Sequence, residues 1–310
     1  MGNPAMQQIF MGVSPKNLAA PPFAPYFTAA QERPLSVYFP VEGPGKLAVP
    51  PNIAGYIGSD TLGCVLATGM YRDEKMTLMI DIGTNGEMVL GNRDRMTACS
   101  TAAGPALEGG RICCGMRGSD GAIDHVWLEN GKAACSVIGN TKAQGICGSG
   151  IIDAAAAMLD LGILNKRGRI EKEYSGEGKD RRYSLTERVF LTQEDIREIQ
   201  MAKGAIAAGI ILLAKQLGIT LEEIDQVILC GAFGNYMKPE SACRIGLIPA
   251  ELQGKIKAGG NGAGMGGREM ALDREKLYLT DRLLKKIEFI ELASIPEFQR
   301  VYASNMMFHP

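Results

Sequence analysis

Hydrophobic runs divide the chain into a loop-rich start and a regular remainder. Up to residue 50 no apolar period persists. Prolines at positions 21, 22, 25, 34, 40, 44 and 50 punctuate the stretch, which reads as an irregular covering or connecting segment. From Asn52 to Met70 apolar and small residues alternate (IAGYIGSDTLGCVLATGM), and the spacing predicts a helix that another element approaches closely. Met76 to Ile82 (MTLMIDI) reads as a short buried strand. Gly86 to Gly91 is its hairpin partner across a glycine-rich turn, and a third strand follows at Met96 to Ser100. A second hairpin, Val126–Leu128 with Lys132–Val137, is signalled by Asn130-Gly131.

Helical periods dominate the rest. Gly150 to Leu161 opens at a glycine-rich turn, and Thr192 with Asp195 makes a capping box for a long helix that ends at Gly218. Between them lies a charged insertion, residues 166–188, within which Arg181–Glu187 is ambiguous. Gln226–Cys230 is a buried strand, Lys255–Ala258 a shorter one, and a helix then runs to Leu272. The tail alternates once more, with a helix near Asp281–Lys286, a strand at Ile287–Leu292 and an amphipathic stretch from Pro296. Strands alternating with helices after a hairpin-rich start indicate a mixed α/β fold.

Composition narrows this picture. Apolar residues at 46% and charged residues at 22% are ordinary for a globular chain, so extensive disorder is excluded. A net charge of −1 gives no reason to expect nucleic acid as the main partner. No apolar run approaches the ~20 residues of a membrane span, and the first residues lack the pattern of a signal peptide. The cytoplasm is the expected compartment. The 8 cysteines contain no C-x-x-C pair, and only His125 and His309 could assist them, so a zinc site or iron–sulfur cluster in this chain has little support. Cysteine as a small buried hydrophobe is the expectation.

What is unusual is glycine, 39 of 310 residues, against an average of about 7%. The excess gathers at the ends of expected strands: Gly83 to Gly86, Gly145 to Gly150, Gly231 to Gly234 and Gly259 to Gly267. Glycine lets backbone N–H groups turn toward an anion and lets a phosphate approach closely. Asp81, ending a buried strand, suits Mg²⁺ held through water, with Thr84 and Asn85 donating to phosphate oxygens. There is no P-loop pattern. Gly262–Gly267 satisfies G-x-G-x-x-G, but too little chain follows for a dinucleotide-binding half.

The segments IAGYIGSDTLGCVLATGM and LMIDIGTNGEMVLGN resemble the connecting helix and second phosphate loop of the acetate kinase, sugar kinase, heat-shock chaperone and actin superfamily. ILCGAFGNY is similar to its adenosine-side loop and GGNGAGMGGREMAL to its second connecting helix. Within it, DIGTNGEMVLGNRDRMTACSTAAGPALEGG, GICGSGIIDAAAAMLDLGIL and GAFGNYMKPESACRIGLIP resemble reductive activators of corrinoid proteins. The resemblance implies an α/β fold of ribonuclease H-like lobes, one complete lobe plus part of the other. Residues 1–75 would be the remainder of the first lobe, with connecting helix 52–70. Residues 76–272 would form the nucleotide-binding lobe, and 273–310 a C-terminal extension. It further implies ATP and Mg²⁺ as ligands, a corrinoid protein as partner, homodimerisation, and ATP-dependent return of Co(II) to Co(I). Asp81, Gly83, Thr84, Asn85, Gly86, Gly148, Ser149 and Gly150 would face the phosphates, with Asp81 toward Mg²⁺. Lys203, Gly231, Ala232, Phe233 and Gly234 would line the adenosine side.

Two family features are not found in this sequence: a first phosphate loop of the form D-x-G-T, which occurs only at Asp81, and the cysteine-rich [2Fe-2S] domain. The expectation is a chain that binds nucleotide weakly by itself and does not transfer electrons. Three other functions stay open on these residues: an activator ATPase of the 2-hydroxyacyl-CoA dehydratase type, a small-molecule kinase of the superfamily, and a non-catalytic docking or dimerisation module.

Overall fold

The computed structural model describes residues 2–171, 181–231 and 233–308. Part of the expected insertion, together with Ala232 and His309, lies outside them. The start of the chain is less irregular than its prolines suggest. Asn3 accepts from the N–H groups of Ala5 and Met6 and so caps helix α1 (Pro4–Phe10), with Pro4 at the first helical position. A two-stranded antiparallel ribbon follows, β1 (Gln31–Pro34) and β2 (Lys46–Val49). Gln7 donates to the Ser59 hydroxyl at 2.8 Å and accepts from Asn52 at 2.7 Å, tying this region to the next helix.

That helix, α2 (Ser59–Thr68), is shorter than the expected span of 52–70. Residues 53–57 close on themselves instead, through Ile53 N–H to Ile57 carbonyl at 2.9 Å. Gly58 passes so close to the Gly2 carbonyl that a Cβ there would lie 1.9 Å from the oxygen. Gly69, at φ +71°, ends the helix in the left-handed conformation.

The main sheet begins with β3 (Thr77–Ile82), β4 (Gly86–Gly91) and β5 (Met96–Thr101), an antiparallel meander. A second sheet follows, β6 (Ala122–Glu129), β7 (Lys132–Val137) and the short β8 (Gly145–Ile146). Asn130 and Gly131 both take positive φ, as a two-residue hairpin turn demands. Helix α3 (Gly148–Asp160) packs on β6. A small ribbon, β9 (Arg182–Ser184) with β10 (Phe190–Thr192), resolves the ambiguous stretch and leads into α4 (Gln193–Leu217), whose capping box and glycine stop are as the sequence indicates.

The chain then re-enters the main sheet with β11 (Gln226–Cys230), followed by α5 (Phe233–Tyr236), α6 (Pro239–Arg244), β12 (Ile256–Gly260), α7 (Gly262–Leu272) and α8 (Arg274–Leu284). It ends with β13 (Ile287–Phe289) and α9 (Phe298–Met306). The strand order is β12-β11-β3-β4-β5-β13, with β11 parallel to both β3 and β12. A three-strand meander extended from its first strand by two parallel strands is the ribonuclease H-like arrangement expected of a lobe, with β13 added at the edge.

Period-two alternation sends the sheet's two faces into different cores. Leu78, Ile80, Met88 and Leu90 face α3, α4 and the second sheet. Met79, Val89, Ala98 and Cys230 face α2, α7 and α8. Here the close approach read from the sequence is realised. Gly63 on α2 meets Gly266 on α7, and a Cβ on Gly266 would lie 2.0 Å from the Gly63 carbonyl oxygen. The G-x-G-x-x-G string is therefore part of a helix-packing surface.

Candidate functional site

The parallel pairing of β3 with β11 sets Asp81 beside Cys230, so the segments leaving both strands emerge together at their carboxyl ends. Crevices outside such ends are where open α/β sheets bind ligands. Gly231 takes φ +77°, and a Cβ on it would lie 2.6 Å from Asp81 Oδ1. Only glycine lets this loop pass so near the carboxylate.

The turn after β3 is rigidly supported. Gly83 N–H donates to the Asn85 carbonyl at 2.8 Å, Gly104 N–H to the Thr84 carbonyl at 2.8 Å, and the Thr84 hydroxyl to Glu108 at 3.0 Å. Thr84 and Asn85 are exposed, as donors to an incoming anion must be, while Gly86 is buried against α4.

The acidic character of the site exceeds what the sequence suggested. Asp81 and Glu87 are direct cross-strand partners, and Asp60 from the first turn of α2 faces both. Burial first, then Asp60, hold the Asp81 carboxyl above its usual range, while Cys64, whose thiol donates to it at 3.7 Å, opposes the shift. Burial, with Asp60 and Asp81, pushes Glu87 up to about 7, against a hydrogen bond from Ser100 at 3.3 Å. None of the ion pairs among the described residues reaches these three carboxylates. Uncompensated negative charge of this kind suits a divalent cation. Among the described residues no group of three or more His, Cys, Asp or Glu side chains could hold a metal ion. Mg²⁺ keeps water and phosphate oxygens in most of its coordination positions, so it needs few protein ligands. Neither Asp60 nor Glu87 stands out in the sequence as a site residue. The turn gave the signal for Glu87, because a hairpin closing Ile82 on Gly86 sets Asp81 opposite Glu87.

The remaining predicted residues separate into two groups. Gly148 and Phe233 meet: a Cβ on Gly148 would lie 2.0 Å from the Leu107 carbonyl oxygen and 2.5 Å from the Phe233 ring. The start of α3 thus meets Phe233 at the start of α5, although Gly148, Ser149 and Gly150 are themselves buried. Gly150 packs on the Ile123 carbonyl and Gly234 on the Leu229 carbonyl.

Lys203 is not brought into the site. It is fully buried, and its ammonium donates to the Asn305 carbonyl and, at 2.8 Å, to the Met307 carbonyl, beneath the Phe308 ring. Its role is to hold the tail on α4, and burial lowers its pKa to about 7. Cysteine also departs from expectation in part. Cys64, Cys99, Cys147, Cys230 and Cys243 are buried, but Cys113 is exposed and Cys114 and Cys135 are intermediate. No helix among the described residues is long and apolar enough to cross a membrane.

Residues 75–310 match the family described as the C-terminal domain of RACo, the ASKHA domain, and residues 1–73 match the RACo middle region. The corrinoid activation enzyme RamQ of Eubacterium limosum is 37% identical over 331 aligned positions, covering 99% of this chain and 55% of that protein. A [Co(II) methylated amine-specific corrinoid protein] reductase of Methanosarcina barkeri is 31% identical over 289 positions, covering 85% of this chain and 52% of its own length. The solved structure of a reductive activator for corrinoid, iron–sulfur protein superposes with a TM-score of 0.88 at 33% identity, over 99% of this chain and 51% of that one. The chain thus spans about half the length of these relatives. It belongs to the RACo family, of which it carries the middle region and the C-terminal ASKHA domain.

Proposed function

We propose that this chain is the ATP-binding and partner-docking part of a reductive activator that returns a corrinoid protein from Co(II) to Co(I). The observation that carries the reading is the convergence of the Asp81–Gly86 turn and the Gly231 loop at neighbouring parallel strand ends, beside the Asp60, Asp81 and Glu87 carboxylates. In this reading residues 76–272 form the nucleotide lobe, 1–75 belong to the other lobe and 273–310 extend it. The protein is cytoplasmic and homodimeric, and the [2Fe-2S] domain that supplies the electron is not part of these residues.

Mg²⁺·ATP fits the donor set and would supply the hydrolytic free energy. Asp81, with Asp60 behind it, would hold the cation through water. Asn85 and the backbone N–H of Thr84 would donate to phosphate oxygens, while the Thr84 hydroxyl, donating to Glu108, orients that turn. Gly231 leaves room beside Asp81, and Phe233 transmits the position of the Gly231–Gly234 loop to α3 at Gly148. ATP can drive an uphill reduction only if nucleotide and corrinoid state alter each other's binding. The test is the affinity of the chain for its Co(II) corrinoid protein with and without Mg²⁺·ATP. A change of about tenfold, some 1.4 kcal/mol of coupling, is expected; equal affinities would refute the reading.

A further inference from the structure

Cys113 and Cys114 stand side by side on a turn that the proposed nucleotide chemistry does not use. Cys113 is exposed and Cys114 is partly so. Burial first, then the neighbouring Cys114 thiol, raise the Cys113 thiol above its usual pKa. Their backbone is pinned on both sides: Cys113 N–H donates to Asp195 Oδ1 at 2.8 Å, and the Cys114 carbonyl accepts from Ile146 N–H at 2.8 Å. The Cys114 thiol donates to the Arg188 carbonyl at 3.8 Å. The segment carrying them has no slack. A Cβ on Gly115 would lie 2.0 Å from the Gly109 carbonyl oxygen, one on Gly110 would lie 2.7 Å from Pro105 Cβ, and Arg111 sits at φ +60°. Adjacent thiols on a backbone fixed in this way, one of them exposed and one partly so, are within reach of a single incoming electrophile.

We propose that Cys113 and Cys114 form a vicinal dithiol, a two-electron site that closes to a disulfide by exchange with small dialkyl disulfides. In its reduced form it takes soft, thiophilic electrophiles of the arsenic(III) class. The exchange begins at Cys113, whose thiolate attacks one sulfur of the incoming disulfide. That S–S bond breaks, and the first small thiol leaves with a proton. Cys114 then attacks the mixed disulfide at Cys113 and releases the second small thiol. Two electrons and two protons pass from the cysteine pair to the small disulfide. Burial keeps the Cys113 thiol above its usual pKa, so little thiolate is present near neutrality and the exchange is slow.

A ring closed across a single peptide bond is strained, and strained, exposed disulfides are the readily reduced, regulatory kind. Closing it turns the Cys113–Cys114 peptide, next to the one whose Cys113 N–H is held by Asp195. The same carboxylate accepts Thr192 N–H at 2.8 Å in the capping box of α4.

The test uses the full chain prepared without oxygen, with Cys113→Ser and Cys114→Ser. Phenylarsine oxide is expected to bind one per chain with loss of water, and about 100-fold more weakly in either variant. Oxidised glutathione is expected to remove two of the eight thiols without leaving glutathione attached. Dithiothreitol is expected to restore both thiols. Equal arsenical affinity in either serine variant would overturn the proposal, as would a stable glutathione adduct at Cys113 in place of the ring.

Discussion

The junction of α2 with α7 gives a prediction whose sign follows from geometry. Gly266 and Gly267 are adjacent on one helix, but only the first faces α2. A Cβ on Gly266 would lie 2.0 Å from the Gly63 oxygen and 2.4 Å from its carbonyl carbon and Cα, whereas one on Gly267 has nothing within 4 Å. Backbone cannot swing aside as a side-chain tip can, so Gly266→Ala must push the helices apart by more than about 1 Å, an overpacking that costs about 1–3 kcal/mol. The helix itself gains about 1 kcal/mol from either substitution. Gly267→Ala should therefore stabilise by about 0.5–1 kcal/mol, and Gly266→Ala should destabilise by up to about 2 kcal/mol. Urea unfolding at constant m reads both. A Gly266→Ala chain as stable as Gly267→Ala would show that the close approach does not exist.

Other predictions follow from buried charge. Glu87 is raised to about 7 from 4.5 in the folded chain, so the folded state binds the extra proton between these values. Stability then falls as pH rises from about 4.5 to 7, and Glu87→Gln should flatten that limb and stabilise the chain by about 1–3 kcal/mol at pH 8. Lys203 has the opposite sign. Its folded pKa is lowered to about 7 from 10.5, so the unfolded state binds more protons above 7 and stability rises with pH, a limb that Lys203→Met should remove. Phe308, 1% exposed over the Lys203 ammonium, should cost about 3 kcal/mol when replaced by alanine and make residues 298–308 the first site of limited proteolysis.

Local chemistry made much of the fold legible. Asn130-Gly131 fixed a hairpin, Thr192 and Asp195 fixed a helix start, and Gly218 fixed its end, because each acts on its immediate neighbours. Asp81 was legible for the same reason, as the polar end of a buried strand. What required distant partners was not. Lys203 reads as a helix lysine until residues 305–307, a hundred positions onward, place their carbonyls on it. Residues 52–58 carry a helical pattern but are held out of the helix by the turn that bonds Ile53 to Ile57 and by the approach of Gly55 to Phe23 and of Gly58 to Gly2. Glycine was the most ambiguous signal: Gly231 clears space beside a carboxylate, whereas Gly150, Gly262 and Gly266 clear space for backbone or sulfur atoms of the fold itself. Both uses leave the same letter in the sequence.

The central claim is that the Asp81 turn and the Gly231 loop together hold a magnesium nucleotide. Calorimetric titration of Mg²⁺·ATP into the chain and into Asp81→Asn tests it most directly. The account predicts weak, Mg²⁺-dependent binding to the parent and at least about a tenfold loss in the variant, a difference of about 1.4 kcal/mol. Equal binding by both chains, or none by the parent at millimolar nucleotide, would contradict it.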